Sequence, residues 1–388
     1  MTQRTVKSIV PQIGCRPRRH GITLTDAERT DGELAMPKPT RYQEVEVSGT
    51  PLEMGRQLGE AAREAIRGFA EVALDRMNLT VPISRAKALE VAAASFPFVE
   101  KYSPEHLEEM RGMAESSGVS IKELMLLQIR NQLQPERDAG CTSFAAATPE
   151  KATDSVVGQN WDNDPVLDEF TIVLTRRPTG KPAFLNATQA GLIGYIGVND
   201  RGIGLCLNTL PAPNRDFGVP HYFMVRNMYE VDSLDGVVEA VRRAERAIPA
   251  NVMLMTPQGP ADLEITVDEV RVLQDPESRL VTHTNHCVHP DFVSINDEFS
   301  ELIESHPRKH RVDALFAESN NATEIDRLKR ILSDHDNHPK SICRHENDHP
   351  KNGFWTTVFS VIIEADHGRM HLTRGNPCEQ PYETYQLT

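Results

Sequence analysis

Asp138-Ala139-Gly140-Cys141-Thr142-Ser143-Phe144 is the stretch at which this 388-residue chain changes from helical to strand-like patterning. Gly140 has no Cβ, so its backbone adopts conformations that other residues avoid, and its carbonyl stays open to attack by the next side chain. Cysteine is the most nucleophilic of the usual side chains near neutral pH. The stretch therefore predicts a boundary in the fold and a candidate nucleophile, although a Gly-Cys pair by itself is usually a loop glycine before a buried cysteine.

The region before Gly140 carries helix signals. Thr50-Pro51-Leu52-Glu53 combines an N-cap, a proline at the first helical position and the glutamate of a capping box. Apolar residues at helical spacing then predict one long amphipathic helix through Met54, Leu58, Ala62, Ile66, Phe69 and Ala73. Ser103-Pro104 predicts the start of a second helix, which ends at Gly118, and Ser120-Ile121-Lys122-Glu123 opens a third that runs to about Arg130.

The region from Cys141 onward alternates between short strands and helices. Polar or glycine-containing turns separate short apolar runs, which is typical of antiparallel sheets. The predicted strands are Thr142–Ala147, Ser155–Asn160, Thr171–Thr175, Ala183–Thr188, Ile193–Val198, Ile203–Asn208 and stretches near 252–256, 262–267, 270–274, 279–284, 355–364 and 369–374. The predicted helices lie near 220–230, 233–246, 306–317 and 323–333. Sheets between helical layers indicate an α+β sandwich.

Composition excludes several classes of function. The chain is 39% hydrophobic and 25% charged, and no window approaches the roughly 18 to 20 apolar residues of a membrane-spanning helix. The first forty residues contain no apolar stretch of signal-peptide length, so a cytoplasmic protein is expected. The net charge of −14 argues against sequence-independent nucleic-acid binding, which relies on Lys and Arg.

Cysteines and histidines give weak metal signals. The six cysteines are Cys15, Cys141, Cys206, Cys287, Cys343 and Cys378, and no pair has the Cys-x-x-Cys spacing of a zinc ribbon or a redox site. Histidine is a common zinc ligand, and six invite that interpretation: His283, His286, His335, His338, His345 and His349. The last four are separated by polar residues, and no spacing matches a metalloprotease helix. We expect no metal and no cofactor, and keep a His-coordinated metal hydrolase as an alternative.

Several separated motifs accompany the Gly-Cys junction in a fixed order. They are Ser48-Gly49-Thr50-Pro51-Leu52-Glu53-Met54-Gly55, Arg111-Gly112-Met113-Ala114, Gly158-Gln159-Asn160-Trp161-Asp162, Ala190-Gly191-Leu192-Ile193-Gly194, Gly197-Val198-Asn199, His283-Thr284-Asn285-His286 and Ser341-Ile342-Cys343-Arg344. Together they resemble peptidase family C45, the isopenicillin N acyltransferase group of the N-terminal-nucleophile hydrolases. The resemblance runs from about Ser48 to near Pro377.

The resemblance implies an α+β fold, the four-layer αββα sandwich, and self-cleavage between Gly140 and Cys141. The freed α-amino group, with a reference pKa of about 7.7 to 8.0, would take the thiol proton of Cys141. Asp162 would orient that amino group, Asn285 would donate its amide to the developing oxyanion, and Arg344 would supply positive charge. The candidate substrate-binding or supporting residues are Thr142, Ser143 and Ser341.

Each assigned residue also has a structural explanation. Asp162 precedes a turn at Asn163-Asp164-Pro165, Asn285 ends a strand, and Arg344 suits a surface ion pair. The sequence also departs from the family in the loop before Cys141, which is shorter than in the fungal acyltransferase that typifies this family. Asn131-Gln132 stand there where an acidic residue is common.

The expected organisation is a disordered extension over residues 1–40, a helical segment over 41–140 and a catalytic sandwich over 141–388. The two fragments would stay associated after cleavage. We expect hydrolysis of a linear or cyclic amide through a thioester on Cys141. Acyl transfer from an acyl-CoA or an amide to an amine acceptor is the alternative, and a non-catalytic binding protein comes after it. The expected partners are a small-molecule amide or acyl-CoA, with neither nucleic acid nor membrane, and the oligomeric state stays open, a homo-oligomer included.

Overall fold

The computed structural model describes residues 39–79, 81–133, 140–148, 154–302, 305–318, 322–350 and 353–388, with backbone only at 300–302. The extension predicted over residues 1–40 lies outside these ranges except for its last two residues. Within the described ranges, no helix combines the length and the apolar character needed to cross a membrane.

In its described residues before Gly140 the chain forms a strand followed by helices. These elements are β1 (Gln43–Gly49), α1 (Pro51–Ala61), α2 (Arg63–Met77), α3 (Arg85–Tyr102), α4 (Pro104–Ser117) and α5 (Ile121–Ile129). Both predicted capping boxes are present, one joining Thr50 to Glu53 and the other Ser120 to Glu123. As predicted, α4 ends at Gly118, which adopts the left-handed conformation with φ 77°.

The prediction of one long first helix is wrong, because α1 and α2 are separate. Ala62 departs from helical geometry, with φ −115° and ψ 24°. The same apolar stripe is buried on both sides of this one-residue break, so periodicity does not reveal it. The helical prediction also missed α3 and the strand β1, in which Val45 and Val47 are the buried residues.

After the junction the chain forms two sheets. Their strands are β2 (Cys141–Ala147), β3 (Ser155–Asn163), β4 (Thr171–Pro178), β5 (Phe184–Gln189), β6 (Ile196–Asn199), β7 (Gly204–Asn208), β8 (Ala250–Thr256), β9 (Gly259–Ile265), β10 (Val270–Leu273), β11 (Leu280–His283), β12 (Thr356–Glu364), β13 (Arg369–Leu372) and β14 (Glu383–Gln386). The first sheet has the order β1-β4-β5-β6-β7-β8-β9-β10 and the second β11-β2-β3-β12-β13-β14. β1 pairs with β4 in parallel. The strand predictions are confirmed, and β14 was missed.

Helices cover the outer faces of the two sheets. α6 (His221–Met228) and α7 (Leu234–Arg242) share the main core with the first sheet and the helices before Gly140. α8 (His306–Ala317) and α9 (Ile325–Leu332) pack on the second sheet in a smaller core. Between them, β2 and β3 contact β7, β8 and β9 of the opposite sheet. This arrangement confirms the predicted α+β fold, an αββα sandwich.

The segment before Gly140 is attached to the sandwich by buried charges. Glu109 of α4 pairs with Arg176 of β4 at 2.7 Å and with Arg226 of α6 at 3.3 Å, and all three side chains are essentially inaccessible to solvent. Buried ions are tolerated only when they are paired, so these contacts hold the two parts of the chain in register. A methyl group at Gly55 or Gly112 would overlap backbone atoms of the facing helix, which explains how closely α1 and α4 approach.

Candidate active site

Cys141 is the first residue of β2 and pairs with Trp161 of β3. Side chains alternate along β2: Phe144 and Ala146 face α8 and α9, whereas Ala145 and Cys141 belong to the core between the sheets. The Cys141 side chain is buried and lines a cavity. The fold therefore holds the predicted nucleophile at a strand end, between two sheets.

Gly140 lies against the carboxylate of Asp162. Its carbonyl oxygen accepts a 3.0 Å hydrogen bond from the backbone N–H of Asp162. The Oδ1 atom of Asp162 accepts from the Thr357 hydroxyl at 2.7 Å, whereas Oδ2 has no hydrogen-bond partner among the described residues. A methyl group at Gly140 would lie 2.6 Å from Asp162 Oδ2 and 2.9 Å from Arg344 Nη1. Glycine is the residue that fits between this carboxylate and this guanidinium.

Asn285 lies just after β11 and contacts the backbone of Cys141. Its Oδ1 accepts from the Cys141 N–H at 2.8 Å and from Arg308 Nη2 at 2.9 Å. Its Nδ2 donates to the carbonyl and hydroxyl oxygens of Thr209 at 3.1 and 3.0 Å. Donors face Oδ1 and acceptors face Nδ2, so the hydrogen bonds fix the orientation of this amide.

Arg308, in the first turn of α8, is a site residue that the sequence analysis missed. The side chain is buried, and its Nη1 donates to the carbonyl oxygen of Cys141 and to Thr142 Oγ1, the latter at 3.2 Å. An arginine near a helix start has no sequence signal that separates it from a surface residue. Only the packing of α8 on β2 brings Arg308 to Cys141.

Arg344 is held through its backbone. Its N–H donates to Thr357 Oγ1 at 3.0 Å, and its carbonyl oxygen accepts from Thr357 N at 3.0 Å and from Asn376 Nδ2 at 2.7 Å. The guanidinium lies 5.8 Å from the centre of the Trp355 ring. Thr357 thus links Arg344 to Asp162 through one hydroxyl, and the sequence analysis missed this residue too.

The three predicted supporting residues, Thr142, Ser143 and Ser341, have different hydrogen-bond partners. Thr142 contacts Arg308, and Ser143 accepts a 2.7 Å hydrogen bond from Asn208, a residue that lines the same cavity as Cys141. Ser341 instead donates to the carbonyl of Cys343 at 2.6 Å, so its hydroxyl is used inside the loop that carries Arg344.

Burial shifts the pKa values of the two central groups. It raises the pKa of the Cys141 thiol to about 12, and the nearby Asp162 adds to this rise. Burial also raises the pKa of Asp162 to about 7, although the guanidinium groups of Arg308 and Arg344 oppose the rise. In the uncleaved chain the thiol is therefore protonated at neutral pH, and the carboxyl group is poised between its two forms.

The cavity beside Cys141 has an apolar wall and a polar edge. The wall includes Trp161, Tyr195, Leu207, Ile248 and Trp355. Trp161 stacks on Phe359 with ring centres 4.9 Å apart and meets Tyr195 edge-on at 5.7 Å. Asn131, Asn163 and Asn208 contribute amides to its lining. Such a surface suits an apolar group joined to an amide or ester-like carbonyl.

His283 and His286 have structural partners near the site. His283 is buried and its Nε2 lies 3.0 Å from Glu264 Oε1, while its Nδ1 lies 2.9 Å from the carbonyl oxygen of Thr284. Burial lowers the pKa of His286 to about 3, and its Nδ1 contacts the hydroxyl of Ser305. These contacts explain both histidines without a catalytic metal.

The sequence profile of the family described as acyl-coenzyme A:6-aminopenicillanic acid acyl-transferase matches residues 148–379, which is more than half of the chain. The chain belongs to this family. The matched range of the acyl-transferase family includes Asp162, Asn285, Arg308 and Arg344, and it begins after β2, so Cys141 lies just upstream. Membership makes the chain an enzyme of acyl transfer or of C–N bond hydrolysis, and the predicted resemblance is confirmed.

Two curated relatives extend this comparison. The 40 kDa form of acyl-coenzyme A:6-aminopenicillanic-acid-acyltransferase from Emericella nidulans is 28% identical over 351 residues, which cover 89% of this chain and 95% of that protein. Protein dcd1A from Dictyostelium discoideum is 22% identical over 289 residues, which cover 65% of each chain.

Solved structures that match include penicillin V acylase from Agrobacterium tumefaciens, with a TM-score of 0.40 and 10% identity over 60% of this chain and 82% of that one. A mutant of conjugated bile acid hydrolase from Clostridium perfringens has a TM-score of 0.39 and 13% identity over 64% and 97% of the two chains.

Proposed function

We propose that the chain is the precursor of an N-terminal-cysteine amidohydrolase, which cuts its own Gly140–Cys141 bond and then hydrolyses an amide through a thioester on Cys141. One observation carries the proposal. The peptide bond before Cys141 is hydrogen-bonded on both sides, its carbonyl to the Asp162 N–H at 3.0 Å and its N–H to Asn285 Oδ1 at 2.8 Å.

Self-cleavage begins with attack of Cys141 Sγ on the Gly140 carbonyl carbon. A carbon–sulfur bond forms, the peptide C–N bond breaks, and the thiol proton ends on the departing nitrogen. Water then hydrolyses the thioester, leaving a carboxylate on Gly140 and the free thiol and α-amine of Cys141. The Asp162 N–H already donates to the oxygen on which negative charge develops, as an oxyanion donor must.

Asp162 and Asn285 take new roles once the α-amine exists. The amine replaces the amide nitrogen that donates to Asn285 Oδ1, so an acceptor for it is in place before cleavage. With its pKa raised to about 7, the Asp162 carboxyl group adjoining Gly140 is suited to relay a proton near neutral pH. The oxyanion role of Asn285 stays a prediction, because its Nδ2 donates to Thr209 in the uncleaved chain.

Arg308 and Arg344 favour negative charge at this centre. Arg308 donates to the Cys141 carbonyl and to Asn285, and Arg344 lies on the other side of Gly140. Arg308 opposes the rise in the pKa of the Cys141 thiol, and both guanidinium groups oppose the rise in the pKa of Asp162. We assign both to electrostatic support of the nucleophile.

The substrate acyl group would occupy the cavity beside Cys141. Its wall of aromatic and aliphatic side chains, including Trp161, Tyr195 and Trp355, supports an apolar acyl group. A second candidate function is acyl transfer to an amine, which the name of the Emericella nidulans relative favours. Incubation with an acyl-CoA and an amine acceptor separates the two, because transfer gives an acylated amine and hydrolysis a free acid.

Intact mass spectrometry and N-terminal sequencing of the purified full-length chain test self-cleavage. We expect two fragments, the second beginning Cys-Thr-Ser-Phe, that together make up the 43.4 kDa chain. Cys141→Ala should remain a single inactive chain, whereas Cys206→Ala, at another buried cysteine of the same core, should still cleave. An active preparation without a chain that starts at Cys141 would overturn the proposal.

A further inference from the structure

Four side chains converge in a cluster outside the catalytic site. Cys343 Sγ lies 3.6 Å from Cys378 Sγ and 3.6 Å from His345 Nε2. Cys378 Sγ lies 3.4 Å from His345 Nε2, and His335 Nε2 lies 3.0 Å from His345 Nε2. The four donor atoms all fall within 4.8 Å of one another, and both cysteines are free thiols rather than a disulfide. We call this set the Cys2His2 cluster.

These separations are those of a tetrahedral zinc site. With zinc–sulfur bonds of about 2.3 Å and zinc–nitrogen bonds of about 2.0 to 2.1 Å, tetrahedral donors lie about 3.8 Å apart for two sulfurs, about 3.6 Å for sulfur and nitrogen, and about 3.3 Å for two nitrogens. The Cys343–Cys378 distance and the distances from His345 to both sulfurs agree with these values within about 0.2 Å, and a ring nitrogen of His335 lies within 4.8 Å of both sulfurs. The His335–His345 distance of 3.0 Å is slightly shorter.

The surroundings of the cluster favour bound metal. Asn376 Nδ2 donates to Cys343 Sγ at 3.5 Å, which supports a thiolate there. Glu379 Oε1 lies 4.0 Å from His345 Nδ1, the ring nitrogen that does not face the cluster. A carboxylate beyond a ligating imidazole fixes the ring orientation in many zinc sites. By contrast, Lys181 already pairs with the carboxylates of Glu105 and Glu230, which with His106 form another group of possible ligands.

We propose that His335, Cys343, His345 and Cys378 bind one Zn²⁺ ion as a structural site. Both thiols release their protons to solvent on binding, and both histidines coordinate as neutral imidazoles through Nε2. Two thiolates then balance the charge of the ion. Four protein ligands complete a tetrahedron and leave no open position for water or substrate, so the site is structural and distinct from a metal hydrolase centre.

The ion would tie together two segments that flank β12 and β13. Three ligands lie on residues 335–345, before β12, and Cys378 lies after β13. Cys343 and His345 are the sequence neighbours of Arg344. The ion would therefore hold the backbone on both sides of Arg344, whose guanidinium lies close to Gly140. Metal binding itself does not depend on the proposed function, whereas its value to the reaction rests on the role given to Arg344.

Metal analysis of the full-length chain tests this inference. Wild-type protein dialysed into zinc-free buffer without chelator should retain one zinc per chain. Cys378→Ser and His335→Gln, both at exposed residues, should lower zinc affinity at least tenfold, because even loss of a partner outside the ligand set typically costs about 10- to 100-fold. His338→Gln removes an exposed histidine of the same loop that is not in the cluster, so it should keep its zinc.

Cobalt substitution adds a readout of the ligands themselves. After chelation of zinc, added Co²⁺ should give the thiolate-to-metal charge-transfer absorption of a tetrahedral sulfur-ligated site in wild type and in His338→Gln, and a clearly weaker absorption in Cys378→Ser, which keeps only the Cys343 thiolate. Wild type with less than half a zinc per chain and no such absorption would overturn the inference, as would equal zinc loss in His338→Gln. A Cys343–Cys378 disulfide in protein purified under reducing conditions would also overturn it. Zinc content and cleavage at Gly140 are measured separately. An uncleaved chain with one bound zinc would contradict the proposed function and would leave the zinc site supported.

Discussion

Asp162→Asn should stabilise the uncleaved chain at high pH while it damages the site. Burial raises the pKa of the Asp162 carboxyl from 3.8 to about 7, which means that the folded chain holds its proton more tightly than the unfolded chain does. A shift of about three pKa units at 1.4 kcal/mol each corresponds to about 4 kcal/mol. Asparagine cannot ionise and keeps an oxygen for the Thr357 hydroxyl, so it avoids this penalty.

The upward direction of the Asp162 pKa shift determines the pH range in which the stabilities of wild type and Asp162→Asn diverge. Below about pH 4 the carboxyl group is protonated in both states, so its ionisation contributes nothing. As the pH rises from about 4 to 7, the unfolded chain gains by releasing the proton and the stability of the wild-type fold falls. The free energy of unfolding of Asp162→Asn, relative to wild type, should therefore rise across this window and level off above pH 7 at about 4 kcal/mol.

Urea unfolding at pH 5 and pH 8 measures this difference, with both proteins carrying Cys141→Ala so that each remains one chain. Asp164→Asn is the control, because Asp164 makes a bidentate pair with Arg76 at 2.6 and 2.8 Å. Its loss should destabilise the fold at both pH values. An Asp162→Asn difference that does not grow with pH, or that turns negative at pH 8, would show that the carboxylate is well paired and would refute the reasoning.

Three further substitutions test separate parts of the structure. Gly140→Ala places a methyl group 2.6 Å from Asp162 Oδ2, so the rate of self-cleavage should fall at least about tenfold. Gel densitometry follows this rate. An unchanged rate would show that the site accommodates the methyl group. Asn285→Ala should lower turnover by about 100- to 1,000-fold if its amide serves the oxyanion, and a much smaller loss would remove it from that role. Glu109→Gln leaves the buried Arg176 without its carboxylate and leaves Arg226 with Glu230 alone at 3.4 Å, so denaturant unfolding should show a loss of about 3 to 5 kcal/mol. A loss below about 1 kcal/mol would mean that the network is solvated.

Local signals predicted the elements that depend on a few neighbouring residues. The structure confirms the capping boxes at Thr50 and Ser120, the helix end at Gly118 and the strands after Cys141. Each of these features is determined by residues that are close together in the sequence. The break at Ala62 was missed because one non-helical residue leaves the apolar stripe unchanged. β1 was missed because Val45 and Val47 are its only buried residues and its partner, β4, lies more than a hundred residues away.

Local sequence patterns could not predict the site residues whose contacts lie far away in the sequence. Arg308 reaches Cys141 across 167 positions, and Thr357 reaches Asp162 across 195. The same limit applies to searches by cysteine spacing. A search for Cys-x-x-Cys spacing discounts Cys343 and Cys378, which are 35 positions apart in sequence and 3.6 Å apart in the fold. Motif resemblance named the family because each motif is a short run of adjacent residues.

The uncleaved and cleaved chains differ in the chemistry available to one sulfur atom. A thiol with a pKa of about 12 is ionised in only about one molecule in 10⁵ at pH 7, and the amide nitrogen beside it is not a base. In the proposed reaction, scission would replace that amide with an amine whose reference pKa is about 7.7 to 8.0, at a position where Asn285 Oδ1 accepts the hydrogen of the amide. Under this proposal, Asn285 Oδ1 is the acceptor, the Asp162 N–H is the oxyanion donor and two guanidinium groups lie nearby before cleavage, so the base is the one component that cleavage of the backbone would supply.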